Sequence, residues 1–324
     1  MTAVSFATVG EAMAVLIGGA VEVHEAMSLG TPFELGIGGA ESNVAMTLAA
    51  LGHDVSWVSA VGDDPFGRVI KEQVGRAGVD VSHVRVDADA PTGLYVKMPR
   101  LSGTDVRYFR RGSAASLLDR RALPALSGAR VVHLSGILPA LGAAPADLVD
   151  AIVVERRVTG RVSFDVNHRP ALWPGADASE SLLRTAGHAD IVFVGRDEAE
   201  SVWGAATADA VRDLLPRVPV LVVKDAERGA TMFTRDRRWH VPSPQVDVVE
   251  PVGAGDAFAA GWLSAYTRGM DPVRCLALGH ALAERALLER GDLAVVASRE
   301  SVEARADEIL RSRGEGAAWR AAVS

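Results

Sequence analysis

Cysteine, lysine and aromatic residues are all scarce in this chain of 324 residues. A single cysteine, Cys275, excludes an internal disulfide or a thiolate metal cluster and predicts a reducing, cytoplasmic setting. Only Lys71, Lys97 and Lys224 carry an ammonium, and none follows a glycine, so a G-x-x-x-x-G-K-[ST] phosphate loop is absent. Long apolar runs are missing too. The longest uncharged stretch, Val131 to Ala146, contains His133, Pro139 and Pro145 and is shorter than a bilayer span. The N-terminus has no basic leader with a small-residue cleavage site, and Glu11 breaks its first apolar run. Basic residues are outnumbered, 34 against 41, and a net charge of −7 gives no drive toward nucleic acid. The 8 histidines show no H-E-x-x-H spacing, which argues against a zinc enzyme. Membrane, secreted-scaffold and nucleic-acid roles are thereby set aside.

What remains is a globular composition, 48% hydrophobic and 23% charged, with short apolar runs alternating with amphipathic ones. Strands are expected at Val4 to Val9, Met13 to Ile17, Val55 to Val61, Arg130 to Leu134, Val162 to Asp165, Ile191 to Val194 and Val220 to Lys224. Helices are expected at Asn43 to Leu51, Asp64 to Ala77, Pro145 to Arg157, Ser179 to Ala186, Asp197 to Trp203 and Ala208 to Leu215. Strands separated by helices predict an α/β fold whose mostly parallel sheet is covered on both faces, spanning 1–324 as one domain. Two segments, about 17–37 and 92–110, lack intervening helices and predict an antiparallel ribbon added to that sheet as a lid or oligomer contact. The tail from about Arg311 to Ser324 is expected to fray.

Chemistry concentrates in Pro251-Val-Gly-Ala-Gly-Asp-Ala-Phe258. An alanine-rich stretch follows it, with Phe258, Trp262 and Tyr266 every four residues, the pattern of a buried helix. Gly253 and Gly255 free the backbone at its start, where outward amides and the helix dipole make an anion site without lysine. Asp256 at that mouth is placed to take a proton from an alcohol, and on these grounds alone it serves equally well as a helix cap. Upstream, Gly36-Ile-Gly-Gly-Ala-Glu-Ser-Asn43 opens another helix, and Asn43 offers a donor and an acceptor to hydroxyls. Read alone, this is an ordinary strand-to-helix turn.

Three motifs in order, GGAESN with VAMTLAALG, Val61 to Arg68 (VGDDPFGR) and GAGDAFAAG, resemble the PfkB, or ribokinase-like, carbohydrate kinases. The resemblance runs from Gly10-Glu11 to Arg290-Gly-Asp292 and implies a ribokinase-like three-layer α/β/α fold with a small β-sheet lid. It also implies phosphoryl transfer from ATP to a sugar hydroxyl, with Asp256 as general base and the amides of Gly253, Ala254 and Gly255 as anion hole. Asn167 and the KDAERGA turn, through Lys224, Asp225, Ala226, Arg228 and Gly229, are implied to lie along the nucleotide with Gly253 and Gly255. Glu198, in Gly195-Arg-Asp-Glu198, is implied to orient Mg2+ through water, although the Asn of the family's N-x-x-E is missing. Glu250 stands where many members have an Asp linked to a monovalent cation, which leaves K+ open.

Thr92-Gly-Leu-Tyr95, Arg107 to Ser116 and Asp165 to Trp173 resemble the 2-keto-3-deoxygluconate kinases in particular. That likeness implies a sugar-acid pocket of Gly39, Ala40, Glu41, Asn43, Tyr95, Tyr108, Arg110, Arg169 and Asp292. Arginine forks recognise a carboxylate by paired, charge-assisted bonds, and a neutral sugar needs no such pair. The alternatives are a kinase of a neutral sugar, fructose or ribose in type, and a catalytically silent sugar-binding relative. A nicotinamide dehydrogenase wants G-x-G-x-x-G after the first strand, and Val9-Gly-Glu-Ala-Met-Ala14 does not supply it. The expected partners are the sugar acid, ATP and further copies of the chain through the lid.

Overall fold

The computed structural model describes residues 5–18, 29–100, 103–173, 178–289, 291, 294 and 296–312. Asp292, the tail segment 313–324 and part of the first lid segment, 19–28, lie outside the described residues. The strands are β1 (Ser5–Val9), β2 (Met13–Gly18), β3 (Phe33–Gly38), β4 (Asp54–Gly62), β5 (Val84–Asp87), β6 (Leu94–Arg100) and β7 (Gly103–Phe109). They continue as β8 (Val131–Ser135), β9 (Arg161–Asp165), β10 (Ile191–Gly195), β11 (Val220–Asp225), β12 (Gly229–Phe233) and β13 (Arg238–Val241). The helices are α1 (Ala40–Ala50), α2 (Pro65–Arg76), α3 (Ile137–Ala140), α4 (Ala143–Val149), α5 (Ala178–His188), α6 (Arg196–Trp203) and α7 (Ala208–Leu214). After them come α8 (Ala254–Thr267), α9 (Pro272–Leu287) and α10 (Arg299–Arg311). No helix among the described residues is long and apolar enough to cross a membrane.

Nine strands form one sheet in the order β13-β12-β11-β10-β9-β8-β1-β4-β5. It is parallel from β5 to β11 and antiparallel only at the β12 and β13 edge. Its central strands read as nearly continuous apolar runs because both faces are covered. Phe6, Trp57, Phe193 and Val222 face Leu48 of α1, Ile70 of α2, Trp262 of α8 and Leu282 of α9. Their alternating neighbours Ala7, Val58, Val192 and Leu221 face Leu148 of α4, Leu182 of α5 and Val211 of α7. Burial of this kind contributes about 25 cal/mol per Å² of apolar surface. The result is the expected three-layer, ribokinase-like architecture, and its strand order runs outward in both directions from β1. Ligand crevices in such sheets open at the carboxyl ends of the strands beside that switch.

The lid differs from the expected ribbon. It is a separate four-stranded sheet, β3-β2-β6-β7, in which two antiparallel pairs are joined by a parallel contact between β2 and β6. It packs a small core of its own, built from Met13, Val15 and Tyr95, and none of its described strands pairs with the main sheet. The helix expected over Pro145 to Arg157 also divides. After α4 the Glu155 amide reaches five residues back to the Asp150 carbonyl at 2.9 Å, and the β-branched run Ile152-Val153-Val154 lies in that widened turn. Helix α1 starts earlier than expected, at Ala40, because Gly39 accepts the Asn43 amide at 2.9 Å.

Candidate active site

The start of α8 is set by backbone geometry. Gly253 lies at φ 85, a left-handed conformation that glycine adopts without strain, and its carbonyl accepts the Ala257 amide at 2.9 Å as the first bond of the helix ladder. The amides of Gly255 and Asp256, in the first turn, have no intrahelical partner and point out of the helix end. The Ala254 amide lies at a long 3.5 Å from the Pro251 carbonyl.

Helix α1 brings a second N-terminus to the same point. Asn43 Nδ2 donates to Asp256 Oδ2 at 3.0 Å across 213 positions of sequence. Two positive dipole ends thus converge on one carboxylate, a setting suited to anions. Burial pushes the Asp256 carboxyl up to about 7, and Asp165 adds to the rise, while Asn43, Lys224 and Arg169 act in the opposite direction.

Asp256 opens into a cavity of about 140 Å3. Of the residues expected to hold the sugar, Gly39, Ala40, Asn43, Tyr95, Tyr108, Arg110 and Arg169 line it, together with Asn167 and Glu198. The Tyr95 and Tyr108 rings lie 5.3 Å apart, and the Arg110 guanidinium sits 5.9 Å over Tyr108. Arg110 is not a free fork. It donates through Nη2 to buried Glu11, whose other oxygen accepts from Ser113 Oγ at 2.5 Å, while Arg110 Nε is buried without a partner. Arg169 is 49% exposed and reaches Glu198 at 3.5 Å.

Glu41 departs from the expected set. Its buried carboxyl turns away from the cavity to accept the Ser135 amide at 2.9 Å, and burial pushes it up to about 7. Helical phase accounts for this, because residues two apart on a helix point about 200° apart, and Asn43 holds the cavity side. Asp292 lies outside the described residues.

A second cavity, of about 380 Å3, adjoins the first through Lys224 and Gly255. Of the residues expected along the nucleotide, Lys224, Ala226, Gly229 and Gly255 line it, and Val246, Val248, Ala283, Leu287 and Phe258 give it an apolar wall unread in the sequence. Ala226 holds φ 40, a left-handed conformation that strains an alanine by about 1–2 kcal/mol and fixes the turn against the cavity. Asp225 and Arg228 do not line it. Asp225 is held by Arg196 at 2.9 Å, and Arg228 lies 3.8 Å from Asp225 with its side chain largely exposed.

Lys224 Nζ donates to Asp165 Oδ2 at 2.8 Å and stands 3.3 Å from where a Cβ on residue 255 would lie. Burial alone would lower its pKa, yet the carboxylates of Asp165, Glu198 and Asp256 raise it, so the group is an ammonium between the cavities. Glu198 Oε2 accepts the Gly195 amide at 3.0 Å, and burial, then Asp165, raises its carboxyl. Asp165 and Glu11 escaped the sequence reading, although each lies inside a segment singled out there.

An anion-binding helix start between an acceptor cavity and a nucleotide-sized cleft defines a ribokinase-like phosphotransferase. A solved structure of fructokinase with bound ATP from Xylella fastidiosa agrees, with a TM-score of 0.83 and 26% identity, covering 94% of this chain and 98% of that one. The chain belongs to the pfkB family carbohydrate kinases, whose sequence profile matches residues 5–297, and it is an ATP-dependent carbohydrate kinase. Among its relatives, 2-dehydro-3-deoxygluconokinase of Bacillus subtilis (strain 168) is 35% identical over 308 residues, 91% of this chain and 93% of the relative. Fructokinase of Klebsiella pneumoniae is 32% identical over 256 residues, 76% of this chain and 82% of the relative.

Proposed function

We propose that the chain phosphorylates the terminal hydroxyl of a sugar acid, 2-keto-3-deoxygluconate, to give its 6-phosphate. The observation that carries the reading is the half-buried Asp256 carboxylate held by Asn43 in a cavity that Arg110 and Arg169 also line. Asp256 takes the hydroxyl proton as the oxygen forms its bond to the γ-phosphorus. The bond from that phosphorus to the β,γ-bridging oxygen breaks, ADP leaves, and the proton passes to water. Amides at the α8 start and the Lys224 ammonium balance the charge on the moving phosphoryl group. Positioning does most of this work, since phosphoryl transfer needs little covalent help.

Mg2+ completes the proposed reaction. Among the described residues no three His, Cys, Asp or Glu side chains gather to hold a metal, which suits an ion carried mainly by phosphates and water. Glu198, a carboxylate lining the cavity beside Asp256, would orient that water, and the ion would neutralise phosphate charge. Leu35 and Phe109 of the small sheet are exposed apolar residues, which supports self-association through the lid. The lone, buried Cys275 suits a cytoplasmic enzyme.

One observation favours a second reading, a neutral-sugar kinase. Glu11 already balances the charge of Arg110, so less of that charge is left for a substrate carboxylate. Coupled ADP release across sugar acids and neutral sugars separates the two. The acid reading expects kcat/KM for 2-keto-3-deoxygluconate to exceed that for fructose or ribose by about 10²-fold or more, the discrimination of a site built for a charged group. Equal values would replace it with the neutral-sugar reading.

A further inference from the structure

Lysine is rare in this chain, with 34 Lys and Arg residues of which all but Lys71, Lys97 and Lys224 are arginine. Lys224 stands at the phosphoryl site. Lys97, from β6 of the small sheet, is buried deeper, with 2% of its side chain exposed against 18% for Lys224. Its Nζ donates to Glu250 Oε2 at 3.3 Å, across 153 positions of sequence. The other oxygen of that carboxylate, Oε1, accepts the Val252 amide at 3.2 Å, one residue before Gly253. On the far side, the Val249 amide is bonded to the Leu287 carbonyl at the end of α9 at 2.8 Å. The loop that shapes the α8 start is therefore gripped from two sides, by α9 and by the lid.

We infer that Lys97 is a positioning residue, a built-in cation that fixes the loop from Glu250 to Gly253 and so ties the lid sheet to the phosphoryl-transfer site. A buried ion pair is a poor source of stability, because desolvation offsets much of its attraction. Stability alone therefore gives little reason for placing an ammonium at this depth, whereas holding one carboxylate at the entry to an anion hole gives a specific one. A compact ammonium also suits the position better than the planar fork of the arginines used elsewhere. The inference rests on the proposed phosphoryl transfer, but its loop geometry is measurable without it.

The test uses the full-length chain and three variants, Lys97→Met, Lys97→Ala and the doubly neutral Lys97→Met/Glu250→Gln. In the double variant no buried charge is left unpaired, so it is expected to fold as stably as the parent. With the sugar on which the parent is active, Lys97→Met and the double variant are expected to lose about 10-fold or more in kcat, while the sugar KM moves by less than about threefold. Added ammonium or methylammonium chloride is expected to restore part of the lost kcat in Lys97→Ala and none in Lys97→Met, whose side chain fills the space. Parent-like kcat in the folded double variant, or no rescue of Lys97→Ala, would overturn the inference. If the parent phosphorylates no sugar, the functional reading fails separately. Hydrogen exchange at 250–256 then decides the matter: faster exchange there in the double variant supports Lys97, and unchanged exchange refutes it.

Discussion

Asp256→Asn is expected to lower turnover by about 10²–10⁴-fold, the usual loss for a missing general base, with the sugar KM little changed. The substitution is nearly isosteric, and Asn43 Nδ2 still finds an oxygen at the same place. Stability should move the other way. The folded-state pKa of Asp256 is raised from 3.8 to about 7, so the folded chain holds this proton more tightly than the unfolded one. Stability is then lost as pH rises from the lower value through the upper, and asparagine removes that loss. At pH 8 the variant should melt no lower than the parent while its ADP release nearly vanishes. Parent-like turnover would take Asp256 out of the chemistry.

Arg110→Ala should raise the KM for the sugar acid by roughly 10- to 10²-fold, as expected for losing about 1.5–3 kcal/mol of charge-assisted bonding, with the ATP KM almost unmoved. It should also destabilise the fold by about 3–5 kcal/mol, because Glu11 would be left as a buried, unpaired charge. These two consequences can be separated. Adding Glu11→Gln neutralises the orphaned carboxyl and should recover most of the melting temperature without recovering sugar affinity. If affinity returns together with stability, Arg110 acts only through the fold.

The part of the site that sequence makes legible is the part that is local. A glycine-rich run before a helix apolar all round marks the α8 start, and Gly39 to Asn43 marks α1. What stayed hidden depends on chain segments that meet only after folding. Arg110 finds Glu11 99 positions away, Lys97 finds Glu250 at 153, and Lys224 finds Asp165 at 59. No periodicity carries such pairings. The small sheet is present as the resemblance implies, and only the ribbon reading fails, for a related reason: the parallel join of β2 to β6 bridges strands far apart in sequence, whereas local spacing announces only hairpins. Glu41 is the instructive exception, since helical phase places it opposite Asn43 and could have excluded it from the pocket at the outset.

The pH dependence of kcat/KM in the parent enzyme bears most directly on the role of Asp256. The free enzyme should show a single acid limb, rising with unit slope toward a plateau and bending near pH 7, where burial sets this carboxyl. A profile that stays flat down to about pH 5 would mean that no carboxyl so placed accepts the proton in the rate-determining chemistry.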